Sequence, residues 1–290
     1  MKTAPTIYLS SIFVLLALVL FGVAGCGGYY IMTVPDQVSR TGGDVVPVAR
    51  LQRNDFFILA IEVKDTPLVF RIDKGPERAS YTDNMGYAGV ELNVPRSPGK
   101  YNLNVFLQDF EGEIVQQNVP VFVFDPSEPV VAVELDCLPN EGSIFSDEAA
   151  AALRSISRRA NIIYLTRRDS TTQNNNHEWF QRAGLPDGPI LLWQKQRWHI
   201  VREGRFNLPR IVIESRLDSQ LDSLKTVFPN FRVGICQSSL AGKAFREAGL
   251  MPIFVGKTPP LEFRRSEIRT DWKDLEARGL DGMLSSDEGK

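Results

Sequence analysis

Hydrophobic positions along the 290-residue chain fall into three regimes. From Ile12 to Val23 almost every residue is apolar, in one block. From Tyr29 to about Asp125 apolar residues come in short runs, at 29–34, 44–51, 56–64, 67–72, 87–94, 100–109 and 114–124. Tyr101-Asn102-Leu103-Asn104-Val105-Phe106-Leu107 and Val121-Phe122-Val123-Phe124 are rich in the β-branched and aromatic residues that fit a pleated surface. Turn chemistry separates the runs: Thr41-Gly42-Gly43-Asp44, Asp73-Lys74-Gly75-Pro76, Pro95-Arg96-Ser97-Pro98-Gly99 and Glu111-Gly112. No long segment here carries the 3.6-residue period. Roughly seven strands in about 95 residues is the count of an immunoglobulin-like sandwich, so an all-β module is predicted over 29–125. It contains no Cys and no cluster of catalytic residue types.

Beyond Asp125-Pro126-Ser127-Glu128-Pro129, a link stiffened by two prolines, the pattern changes. Buried-type strands are predicted at 130–136, 161–165, 189–193, 231–235 and 252–255. Helical segments lie between and around them at about 147–159, 172–183, 215–227 and 239–248. Alternating strand and helix predicts a doubly wound parallel sheet. The first of these strands ends in Glu134 and Asp136, and an open parallel sheet presents its ligand-facing groups at such strand ends. From Arg264 the charges alternate. A charged tail is predicted over 264–290, with a short helix at about 269–278 and a disordered end.

Composition narrows the function classes. Lys and Arg number 33 against 35 Asp and Glu, a net charge of −2, which argues against general nucleic-acid binding. Two His and three Cys leave little material for a zinc site. The N-terminal apolar block is short for a span of about 20 residues and suits the core of a signal peptide over 1–25. Its end, Val23-Ala24-Gly25-Cys26, resembles the lipobox of bacterial lipoproteins. That resemblance implies acylation of Cys26, a lipidated tether at 26–28, and attachment to a membrane of the bacterial cell envelope. The body then faces the periplasm or the exterior. An ordinary secretory signal or an uncleaved anchor is the alternative, and either route leads to an oxidising compartment.

Two further resemblances bear on the body of the chain. Tyr81-Thr82-Asp83-Asn84-Met85-Gly86-Tyr87-Ala88-Gly89-Val90-Glu91-Leu92, followed by Pro98-Gly99-Lys100-Tyr101, is similar to a turn and strand start of bacterial Ig-like domains. In the second half, Glu134-Leu135-Asp136 ends one strand and Thr166 another. Tyr164-Leu165-Thr166-Arg167-Arg168, Trp179-Phe180 and the run from Gly184 to Leu192 follow, then Phe228-Pro229 and the run from Ala248 to Phe254. These resemble haloacid-dehalogenase-like phosphatases of the lipin type, with a matching stretch of roughly 130–256 and a domain placed at 130–263.

The resemblance implies roles for particular residues. The family's carboxylate nucleophile falls on Glu134 and its acid/base on Asp136; Thr166 and Arg167 fall on the phosphate-holding positions. The family's Mg²⁺ needs an acid from a last motif, which aligns with 236–245 and places Ala241 at that position. Residues 234–246 contain no Asp or Glu, and no Lys stands at the expected third motif, where Arg216 is the nearest cation. Glu is also one methylene longer than Asp, and a shift near 1 Å can cost about a hundredfold in rate. These changes together imply a degenerate, inactive domain without a cofactor, which binds a phosphorylated lipid, another phosphorylated ligand or a protein partner. The alternative is a Mg²⁺-dependent phosphatase in which Glu134 and Asp136 form the catalytic and metal-binding pair. In the resembled fold Cys137 and Cys236 end neighbouring strands, so they either bridge the crevice as a disulfide or remain two buried thiols.

Overall fold

Among the described residues, eleven strands build the first domain. They are β1 (Tyr29–Thr33), β2 (Gln37–Arg40), β3 (Asp44–Val45), β4 (Val48–Asp55), β5 (Leu59–Glu62), β6 (Pro67–Ile72), β7 (Arg78–Tyr81), β8 (Tyr87–Gly89), β9 (Leu92–Asn93), β10 (Gly99–Leu107) and β11 (Gln116–Phe124). The computed structural model describes residues 29–55, 59–107, 115–138, 147–166, 173–203, 206–215, 217–256, 267–269, 271–280 and 284. The signal-like segment, Cys26 and Arg167 lie outside the described residues. Among those described, no helix is long and apolar enough to cross a membrane.

One sheet runs β1-β4-β5, with β8 also on β4. A second runs β2-β11-β10-β6-β7, and β3 pairs with β9. The period-2 pattern decides which side chains face inward. In β10, Leu103, Val105 and Leu107 are buried while Asn102, Asn104 and Phe106 face out. Leu51 from one sheet meets Leu68, Phe70, Leu103, Val105 and Val121 from the other in a single core. Two strands lie where no run was predicted, Gln37–Arg40 and Arg78–Tyr81. Both are short and largely polar, and their partners in β11 and β6 supply the apolar content.

The second domain is an open sheet, all parallel, made of β12 (Val130–Glu134), β13 (Asn161–Thr166), β14 (Ile190–Leu192), β17 (Phe231–Cys236), β18 (Met251–Val255) and β19 (Glu267–Arg269). The spatial order β14-β13-β12-β17-β18-β19 places the first strand centrally and reverses direction between β12 and β17. Helices α1 (Asp147–Ser157), α2 (Gln173–Arg182) and α5 (Trp272–Arg278) contribute to the core on one face. Helices α3 (Leu217–Val227) and α4 (Ser239–Glu247) contribute to the core on the other. Every residue of β12 is buried, and Val130–Val133 read as an uninterrupted apolar run that ends at Glu134.

Two features depart from the sequence expectation. Residues expected to leave the domain as a charged tail return to it. β19 pairs in parallel with β18, and Trp272, Leu275 and Leu280 are buried in the α1 face. Those three apolar residues form one stripe whose signal is diluted by the charges between them. A further hairpin, β15 (Gln194–Glu203) and β16 (Phe206–Ser215), is inserted after β14, paired from Gln194↔Ser215 to Glu203↔Phe206.

The two domains share a boundary built by the last turns of β11. Val121 and Val123 point into the sandwich core, whereas Phe122 and Phe124 point into the α3–α4 core of the second domain. The Phe124 and Phe228 rings lie 5.9 Å apart. The proline link is a fixed turn. Ser127 donates its N–H and hydroxyl to Asp125 Oδ1 at 2.8 and 2.7 Å, bonds that hold the Asp125 carboxyl below its usual range. Asn230 and Asn161 tie Ser127 and Glu128 to the second domain.

Candidate functional site

Open parallel sheets take ligands outside the strand ends where the order reverses, here between β12 and β17. Glu134 ends β12, Asp136 follows in a 3-10 turn, Thr166 ends β13, and Gln237-Ser238 follows β17. The fold thus brings together Glu134, Asp136 and Thr166 from the sequence-predicted set.

The chemistry they share is internal. Glu134 is 1% exposed. Its Oε2 accepts the backbone N–H of Gln237 at 2.8 Å and of Ser238 at 2.9 Å. Ser238 is the N-cap of α4, accepting from the Ala241 N–H, so the carboxylate sits at the positive end of that helix. Pairing of Val133 with Ile235 puts Glu134 beside Cys236, one residue short of those amides. The long glutamate side chain spans that interval. Close packing holds α4 in place. A Cβ on Gly234 would come within 2.3 Å of the Phe245 ring, so glycine there lets the helix lie on the sheet. Thr166, fully buried, donates its hydroxyl to Asp136 Oδ1 at 3.2 Å. Its carbonyl accepts from the Trp193 N–H.

A Mg²⁺ ion held in the manner of the resembled family would take its ligands from Glu134, Asp136 and a third acid. The residues do not fit that ion well. Glu134 Oε2 carries two N–H donors, Asp136 carries a hydroxyl, and Ala241 stands where the third acid belongs. Among the described residues no three His, Cys, Asp or Glu side chains converge in a metal-binding group.

Of the two alternatives for Cys137 and Cys236, the disulfide is not formed. Cys236 is a free thiol with no exposed surface, turned into the α3–α4 core on the same sheet face as Ala132. Burial, and then the Glu134 carboxylate, push this thiol far above its usual range. Burial and then Asp187 do the same to the Tyr164 phenol. A group whose pKa is raised on folding contributes stability below its unfolded pKa and loses it as pH rises past that value. Stability is therefore expected to fall above about pH 8.5 by up to about 1.4 kcal/mol per pH unit from the thiol, and more steeply above about pH 10. Denaturation midpoints measured across pH 7–10 check this, and Cys236→Ala should flatten the first part of the decline.

Sequence reasoning missed a second polar group, at the domain boundary. Asp36, between β1 and β2, is 5% exposed. Its Oδ2 accepts the Ile190 N–H at 2.8 Å and meets His177 Nε2 at 2.8 Å. Lys100 Nζ donates to Asp187 Oδ2 at 2.6 Å. The Gly184–Pro189 loop, read from sequence as a family landmark, is therefore a docking loop for the sandwich. A Cβ on Gly188 would meet the Ile162 carbonyl at 2.4 Å, and Tyr164 donates its hydroxyl to the Pro186 carbonyl at 2.9 Å. The 141-residue separation of His177 and Asp36 leaves no local signal.

No protein-family model matches the chain, and no curated protein matches it. Solved structures overlap it weakly. Domain 1 of VCBP3 from Branchiostoma floridae is 10% identical with a TM-score of 0.23, covering 34% of this chain and 97% of that one. A CARDB domain from Pyrococcus furiosus is 14% identical with a TM-score of 0.22, covering 34% and 94%. A 2,6-sialyltransferase from Photobacterium sp. JT-ISH-224 is 10% identical with a TM-score of 0.24, covering 76% of this chain and 41% of that one.

Proposed function

We propose that this chain is a lipid-anchored protein of the bacterial cell envelope whose second domain is a degenerate, non-catalytic relative of haloacid-dehalogenase-like phosphatases. The proposal gives the domain a binding role toward a partner. One observation carries it: the carboxylate at the nucleophile position serves as an acceptor for two backbone amides at the start of α4. A carboxylate so held is poorly placed to attack phosphorus, and those amides are the donors that a phosphoryl oxygen would otherwise use. Thr166, the other phosphate-holding candidate, is engaged by Asp136. Of the two ligand classes the sequence suggests, a protein partner therefore fits this end of the sheet better than a phosphorylated ligand. The lipid anchor rests on Val23-Ala24-Gly25-Cys26 alone.

The competing reading, a Mg²⁺-dependent phosphatase, draws on the convergence of Glu134, Asp136 and Thr166 at one strand end. Phosphate release separates the two. The full chain in detergent is assayed on phosphatidate and p-nitrophenyl phosphate, with and without Mg²⁺, beside Glu134→Gln. The expected result is no release above the variant. Metal-dependent turnover that vanishes in Glu134→Gln would replace this reading with the enzymatic one.

A further inference from the structure

Strands β15 and β16 form a two-stranded sheet of their own. They pair with each other from Gln194↔Ser215 to Glu203↔Phe206, and among the described residues no third strand joins either edge. The paired length is about 33 Å. Both feet of this ribbon are fixed. Trp193, 1% exposed, donates its N–H to the Thr166 carbonyl just before β15, and Leu217, buried at the start of α3, follows β16. Because β14 runs parallel to β13 and β13 to β12, the ribbon leaves the sheet from the end that carries Glu134 and Thr166. A lone two-stranded ribbon is at best marginally stable in water, so one of this length calls for something to cover it.

The register sorts the ribbon's residues into two faces. Trp198 stands opposite Ile211, Ile200 opposite Pro209 and Gln196 opposite Ile213, and with a period of two these positions share one face. Lys195, Arg197, His199 and Arg210 fall on the other. Five Lys and Arg against two Glu in 194–215 leave an excess of three positive charges, in a chain whose totals are 33 against 35. The ribbon thus joins an apolar face to a local concentration of positive charge. A second copy of the chain would bring the same charge to the contact and be repelled. An acidic soluble partner would answer the charge and leave the apolar face in water. An anionic bilayer surface answers both. Its interfacial zone takes Trp and aliphatic residues, and its surface potential attracts Lys and Arg across a ribbon one backbone thick, within the Debye length of about 8–10 Å. Water and headgroups in that zone can bond the outer strand edges, which the hydrocarbon core could not do.

We propose that the 194–215 hairpin binds the surface of an anionic lipid bilayer. The proposal is independent of an anchor at Cys26: flotation of the chain with purely zwitterionic vesicles reports the anchor, and contact of the hairpin with lipid is read separately. The test adds the full chain to vesicles of phosphatidylcholine brominated on its acyl chains, with and without phosphatidylglycerol, and measures quenching of tryptophan emission by the bromine. The expected result is quenching in the vesicles that contain phosphatidylglycerol. It should fall at least threefold in Trp198→Phe, which keeps the apolar face and removes its fluorophore, and in Arg197→Glu combined with Arg210→Glu. Urea midpoints in detergent that match the parent's show that the variants are folded, and the lipid comparison tests the parent chain by itself. Absence of quenching, equal quenching without phosphatidylglycerol, or quenching retained in Trp198→Phe would overturn the proposal. So would a stable dimer in detergent that Ile211→Lys dissociates, which would assign the apolar face to a second copy.

Discussion

Glu134→Ala is expected to cost about 3–5 kcal/mol of stability, the largest effect of any substitution at the sheet end. The variant strips the acceptor from two half-buried N–H groups at once, each bond worth about 1.5–3 kcal/mol with a charged partner. Glu134→Gln keeps a carbonyl oxygen in reach of both amides and should cost nearer 1 kcal/mol. The informative variant is Glu134→Asp. It supplies the residue that the resembled phosphatases carry there, so a dormant enzyme would gain turnover. If the carboxylate is a helix cap, the shorter side chain falls short of Gln237 and Ser238, and the protein loses stability while gaining no activity. Urea denaturation of the three variants, read with their phosphate release, distinguishes these outcomes.

Asp36→Ala is expected to uncouple the two domains. The buried carboxylate is shared by the Ile190 N–H and His177, and its loss removes an acceptor for the backbone at the start of β14. The expected cost is about 2–4 kcal/mol at the boundary. Because each domain has a core of its own, the loss should appear as separation of one unfolding transition into two. Asp36→Asn retains a side-chain oxygen for Ile190 and should stay nearer the parent. Faster proteolysis at 125–129 in the alanine variant would accompany the split. A single transition at the parent midpoint would show that Phe122, Phe124 and Phe228 hold the boundary without Asp36.

How much of this was legible in the sequence depended on whether the signal was local. Val130–Val133 could be read at once, because burial on both faces demands an unbroken apolar run. The alternation in β10 was equally plain, with asparagines outside and Leu103 and Val105 inside. Gln37–Arg40 was missed because its pairing with Val121–Phe124 crosses more than eighty residues and its own four side chains carry little hydrophobic content. The helix at about 269–278 was predicted, but Trp272, Leu275 and Leu280 were hidden among charges, so its packing against the domain was missed. The hairpin at 194–215 was missed because its basic residues interrupt the strand pattern.

The site divides the same way. The positions of Glu134, Asp136 and Thr166 followed from the ends of apolar runs, and the fold gathers them. What occupies the Glu134 carboxylate did not follow, since its donors lie 103 and 104 residues along the chain. Whether Cys236 bridges was left open by the sequence, because the direction of its side chain is set by strand alternation, which turns it into the α3–α4 core.

The central claim is that the Glu134 carboxylate is an internal cap and is unavailable as a metal ligand. Manganese relaxation tests it directly, because a bound Mn²⁺ broadens nearby amide signals. Titrating the full chain with MnCl₂ should leave the Gln237 and Ser238 amide resonances sharp at concentrations that saturate ordinary two-carboxylate sites. Selective broadening of those two signals, relieved by excess Mg²⁺ and lost in Glu134→Gln, would contradict the account and return Glu134 to the chemistry of a working phosphatase.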